Sequence, residues 1–198
     1  MLAAWQPSKR DRGMTALIEG MFAFAWFGWG QADVTANALR ILLAIGGVAG
    51  LLVAVGGGIQ ALRSPAGTSA LHDRRALRVY GILVGLEFVI AGVGAGALGA
   101  LGYAEFIPAW VAAVVGVHFF PLARVLHDRS LPLLGTLMLV VAAAALGAGM
   151  FTDVAPSTVA GIGAGTLLLE FGARALALRE SLAMPAAPAP NALHEAGH

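Results

Sequence analysis

The chain has 198 residues, of which 59% are hydrophobic and 12% charged, with a net charge of +1 and no cysteine. Its mean hydropathy is +0.82. Soluble domains carry about 25% charged residues, so this balance points to an integral membrane protein. It leaves no room for a sizeable soluble domain. The near-neutral charge carries no nucleic-acid signal, and without cysteine there are no disulfides, thiolate metal sites or thiol nucleophiles.

Residues 1–13 form a short basic N-terminus with Lys9, Arg10 and Arg12. Six apolar segments follow, at 14–32, 39–62, 78–101, 106–126, 131–151 and 155–177. Each is near the ~20 residues that cross a ~30 Å hydrocarbon core at 1.5 Å per residue. The expected architecture is an all-α polytopic membrane domain over 14–178, six transmembrane helices read as three hairpins in series. A Pro- and Ala-rich cytoplasmic tail over 179–198 is expected to be disordered.

The loops support that count. Arg63, Arg74, Arg75 and Arg78 lie between segments 2 and 3, Arg124 and Arg129 between 4 and 5, and Arg174 and Arg179 at or after the end of segment 6. With Lys9, Arg10 and Arg12, eleven of the twelve basic residues fall on one side, and only Arg40 falls on the other. Positive residues gather on the cytoplasmic side, so both termini are expected there. Trp26, Trp29, Tyr103 and Trp110 are expected to form an aromatic belt at the opposite face. A rival reading takes the N-terminus as a cleavable signal ending near Ala36-Asn37-Ala38, which would leave five helices. Glu19 inside the apolar run and the late tryptophans Trp26 and Trp29 speak against it.

A faint repeat links Leu71-His72-Asp73-Arg74 with Leu126-His127-Asp128-Arg129, and more loosely with Leu178-Arg179-Glu180-Ser181-Leu182. Asp73 and Ser130 are expected as N-caps of helices 3 and 5. His72 and His127 are too few for a metal site. The tail holds His194-Glu195-x-x-His198, the zinc-peptidase spacing. That chemistry needs a formed helix and a further ligand. Gly197 interrupts the motif and no third ligand follows, so neither an enzyme nor a cofactor is expected.

The ionisable residues inside the segments carry the stronger signal. Glu19, Glu87, His118 and Glu170 are the candidate ion-binding residues. A charge at helix centre costs about 2.5–3.5 kcal/mol on insertion scales, so such side chains face the bundle interior or water. With alternating helix directions, all four fall in one layer in the cytoplasmic half, with Gln60 at its border. Each has a structural alternative. Glu19 snorkels to the headgroups, Glu170 pairs with Arg174 one turn on, and His118 bonds a backbone carbonyl. Glu87 has no basic residue one turn away. Pro121 removes a helical hydrogen bond beside His118 and is expected to kink helix 4. The runs Ala91–Leu98 and Ala160–Leu167 are close in sequence, and helices 3 and 6 are expected to pack through them, since small residues permit close approach.

The hairpin layout and the stretch Val114-Val115-Gly116-Val117-His118-Phe119-Phe120-Pro121-Leu122-Ala123-Arg124 resemble small six-helix membrane proteins of actinobacterial type. In helix number and size the chain is also similar to acid-resistance membrane proteins of the HdeD kind. These resemblances imply a multi-pass protein of a bacterial inner membrane and no particular substrate. The residues favour a small transporter or channel-like protein in which the Glu/His layer binds a cation or relays protons. The alternative is a non-transporting interaction or stress-response protein whose polar layer is structural. Expected partners are the lipid bilayer and a small ion or proton; a homo-oligomer is compatible with the size.

Overall fold

A computed structural model describes residues 8–65, 74–126 and 128–177. They form six α-helices: α1 (Lys9–Gly30), α2 (Asn37–Arg63), α3 (Arg74–Ala100), α4 (Ile107–Leu126), α5 (Leu131–Phe151) and α6 (Pro156–Ala177), with a 3-10 turn at Ala104–Phe106 leading into α4. There is no strand among the described residues. The histidine pair His72 and His127, the capping candidate Asp73 and the His194–His198 motif lie outside the described residues.

Five helices are long and apolar enough to cross a membrane: α2, α3, α4 with its leading turn, α5 and α6. Their outward faces carry large apolar side chains such as Leu52, Leu62, Val93 and Phe151, each more than three-fifths exposed. An apolar surface of this extent belongs against lipid, and the chain has the architecture of a multi-pass membrane protein. α1 is not among the five helices. Glu19, its glycines and its tryptophans dilute its hydropathy. The packing shows why such a sequence suits this position: α1 lies against both α2 and α6 and buries Ala16, Glu19, Gly20, Ala23, Trp26 and Phe27. A helix packed on two neighbours has less outward surface to cover, here by Met21, Phe22 and Phe24.

α1 begins five residues earlier than the hydropathy predicts. Ser8 caps it, its Oγ accepting from the Asp11 amide at 3.1 Å and donating to Asp11 Oδ2 at 2.8 Å. This reciprocal cap holds the basic residues Lys9, Arg10 and Arg12 in the first turns. Ser130 occupies the N-cap position of α5 without capping through its side chain. Its amide and hydroxyl instead donate to Asp128 Oδ1, at 2.8 and 2.7 Å.

Neighbouring helices run antiparallel, and glycines set their spacing. On α1, Gly13, Ala16, Gly20 and Ala23 recur at steps of three and four, as the facing stripe of a helix must. Gly50, Ala54, Gly57 and Ala61 answer them on α2. A Cβ added at Gly20 would lie 2.5 Å from the Ala54 amide nitrogen and 2.6 Å from the Gly50 carbonyl oxygen. One added at Gly57 would meet the Leu17 nitrogen at 2.5 Å and the Gly13 oxygen at 2.6 Å. The two backbones are in contact along this seam, the close packing that membrane helices achieve through small residues. Gly116 and Gly135 bring α4 and α5 together in the same way.

α3 is different. None of its residues is buried, and its main neighbour is α4. Trp110 on α4 ties the two, its Nε1 donating to the Ala91 carbonyl at 3.3 Å while its ring fills the space over Gly94. The expected packing of α3 on α6 through matching Ala/Gly runs is not found. Gly161 of α6 lies against Gly30 of α1 and Gly165 against Phe27, whereas Gly92 and Gly96 of α3 meet nothing. The runs are alike in sequence, but each helix meets a different neighbour.

The up-and-down order gathers the ends of α2, α4 and α6 with the starts of α1, α3 and α5. That end carries Lys9, Arg10, Arg63, Arg74, Arg124 and Arg174, among other basic residues. At the opposite end, Ser157 Oγ donates to Asp33 Oδ2 at 2.5 Å, joining the first loop to the start of α6.

Candidate functional site

Three of the four predicted residues converge. α1, α3 and α4 flank a partly open cavity of about 450 Å³, lined by Glu19, Glu87 and His118 together. It extends to Arg10, Asp11 and Asp128 at the arginine-rich end. Glu19 is 6% exposed, and its Oε2 has no hydrogen-bond partner among the described residues. Gly172 of α6 makes room for it: a Cβ there would lie 3.3 Å from the Glu19 Cβ. Glu19 does not reach the headgroup region by snorkelling; it is packed inside the bundle. A buried polar atom left unpartnered costs about 1–3 kcal/mol, which makes this carboxyl the most conspicuous polar feature of the interior.

Glu87 and His118 meet across the α3–α4 seam, with Nε2 and Oε2 3.5 Å apart and both side chains largely enclosed. His118 therefore finds its charged neighbour on the next helix. Glu87, which has no basic residue one turn away, finds the same partner. On the other side of this pair lies a second, apolar groove of about 290 Å³, lined by Leu83, Leu86, Ile90, Val117 and Pro121 besides the pair itself. The pair thus sits between the inner cavity and an open groove along α3 and α4. α4 continues helically through Pro121 to Leu126, and this proline, which lacks an N–H to donate, lies in the groove wall.

Glu170 does not join the cavity. It lies on the outside of α6, half exposed, with its Oε1 2.5 Å from Arg174 Nη2, and the Arg174 guanidinium also lies over the Phe171 ring, 5.9 Å from its centroid. The i,i+4 pairing is therefore the structural role, not a place in the polar layer. An exposed pair of this kind contributes about 0.3–0.5 kcal/mol. Glu170→Gln is accordingly expected to leave thermal stability and cation binding close to wild type; a loss of binding would return Glu170 to the site. Gln60 is also elsewhere, its Nε2 donating to the Lys9 carbonyl at 3.0 Å and strapping the end of α2 to the start of α1.

Sequence reasoning missed several lining residues. Tyr80 lies seven residues before Glu87, and Asp11, Thr15, Phe22 and Trp26 share a face of α1 with Glu19 at helical spacing. That periodicity was available in the sequence. The role of Asp128 was not, because a loop residue reaches the cavity only through the path of the fold. Trp26 is 4% exposed and stacks on Trp29 with centroids 5.3 Å apart. It belongs to the core and cavity wall, not to an interfacial belt.

Among the described residues no cluster of three or more His, Asp or Glu side chains is placed to hold a metal ion. The site can offer a carboxyl without a partner, a second carboxyl beside an imidazole, and aromatic walls. These groups can accept a cation or exchange protons. No protein-family model, curated protein or solved structure matches this chain.

Proposed function

We propose that the chain is a small transporter or channel-like protein of a bacterial inner membrane, with six spans and both termini cytoplasmic. In this reading α1 is the sixth span, packed against α2 and α6 with Met21, Phe22 and Phe24 still facing outward. The arginine-rich end is cytoplasmic by the positive-inside rule, and the cavity lining reaches Arg10, Asp11 and Asp128 there. Glu19, Glu87 and His118 bind a cation or pass protons.

The observation that carries this reading is the convergence of three ionisable side chains, from three helices, on one cavity inside an otherwise apolar bundle. Intramembrane ionisable residues are costly, and they mark ion and proton pathways. A carboxylate that holds either a proton or a cation, but not both at once, couples the movements of the two. Imidazole titrates near neutral pH and suits a relay. The test is proton flux into liposomes carrying the purified protein, which Glu87→Gln is expected to abolish.

A second reading, a non-transporting interaction or stress-response protein, draws on the direct Glu87–His118 contact. There the pair would join Trp110 in holding α3, which has no buried residue, against α4. Loss of stability in Glu87→Ala, in a protein without flux, would favour it.

A further inference from the structure

We infer that the cavity between α1, α3 and α4 is a binding site for a hydrophobic organic monocation, such as a quaternary phosphonium or ammonium bearing aryl or alkyl groups, with Glu19 as its counter-charge. The inference rests on the cation-binding reading above and names the class of cation.

Size comes first. A volume of about 450 Å³ falls within the ~300–1,000 Å³ of small-molecule pockets and far exceeds what a bare metal ion fills. The walls agree: Phe22, Trp26, Phe88 and Phe119 line the space, with Ile18 and Leu122. Aromatic faces attract a cation, more strongly when it is desolvated, and they stack on aryl substituents.

The polar groups select the charge. Calcium and magnesium take six or more oxygen ligands, or keep much of their water, and zinc needs three or four side-chain ligands. Here the donors are few, and no three of them converge as a metal set among the described residues. An organic cation carries its charge inside an apolar shell and sheds little hydration on entry. It needs a single buried anion, and Glu19 supplies a carboxyl that is 6% exposed with Oε2 unpartnered. Glu87 already has His118 at 3.5 Å. The four carboxyl groups in the lining, Asp11, Glu19, Glu87 and Asp128, outnumber Arg10, so the cavity does not suit an anion. α3, with none of its residues buried, is the wall that can give way to a bulky ligand.

The experiment is equilibrium dialysis of radiolabelled tetraphenylphosphonium against the full chain in phosphatidylcholine nanodiscs, with empty nanodiscs as blank. The expected result is saturable binding, weakened about tenfold or more by Glu19→Gln, the equivalent of one ion-pair contact at 1.4 kcal/mol per decade. Triphenylphosphine oxide, neutral and of similar shape, should not compete. Phe88→Ala, on the exposed helix α3, tests the aromatic wall without risk to the core and should weaken binding several-fold. Non-saturable uptake overturns the inference, as does competition by the neutral analogue or binding indifferent to both substitutions. Glu87-dependent proton flux without phosphonium binding overturns the organic-cation site and leaves the transporter reading standing. Binding without flux in any direction does the reverse.

Discussion

Gly20→Leu is expected to prevent the chain from reaching its native packing. The obstruction is backbone, not side chain: the new Cβ alone would come within 2.6 Å of both the Gly50 carbonyl oxygen and the Ala54 nitrogen. No rotamer change relieves such a clash, so α1 and α2 must separate along the seam that Gly13 and Gly57 also form. Overpacking a core costs about 1–3 kcal/mol where side chains can move, and a backbone clash on the central helix should exceed that. The readout is the yield of monodisperse protein and its unfolding temperature. Gly92→Ala on α3, where an added Cβ meets nothing within 4 Å, should behave like the wild type. A Gly20→Leu protein that melts at the wild-type temperature would show that α1 and α2 do not touch in this way.

The second large effect runs in the opposite direction. Glu19→Met is expected to raise thermal stability while abolishing cation binding. The carboxyl is buried with one oxygen unpartnered, and leaving a polar group in that state costs about 1–3 kcal/mol. An unbranched thioether of similar length fits beside Gly172 and removes the cost. A higher unfolding temperature with lost phosphonium binding is the expected pair of results. A destabilised Glu19→Met protein would mean that the carboxyl serves the packing, and the site would lose its central group.

The helices were legible because their ends are marked by chemistry. The span 131–151 of α5 coincides with the structure, bounded by Arg129-Ser130 on one side and Thr152-Asp153 on the other. α1 was misjudged at its start, since hydropathy sees Lys9, Arg10 and Arg12 as exterior while a Ser8 cap draws them into the helix. Isolated charges in apolar runs pointed to Glu19, Glu87 and His118, which line one cavity. The same logic overreached at Glu170, where Arg174 one turn away satisfies the carboxyl on an outer face. Which helix faces which is a property of the whole packing. Hence the matching Ala/Gly runs of α3 and α6 misled, and the Glu87–His118 contact across α3 and α4 could not be read from either segment alone. Trp26 shows the same limit: its position near a helix end suggests an interface, but it is buried in the core.

The most direct test of the account compares wild-type protein with Glu87→Gln in liposomes holding a pH-sensitive dye under an imposed proton gradient. The substitution keeps the side chain's shape and removes its ability to hold and release a proton opposite His118. Acidification well above that of empty liposomes is expected for the wild type and none above them for Glu87→Gln, with both proteins folded by circular dichroism. Equal flux in the two proteins, or wild-type liposomes no different from empty ones, would contradict it.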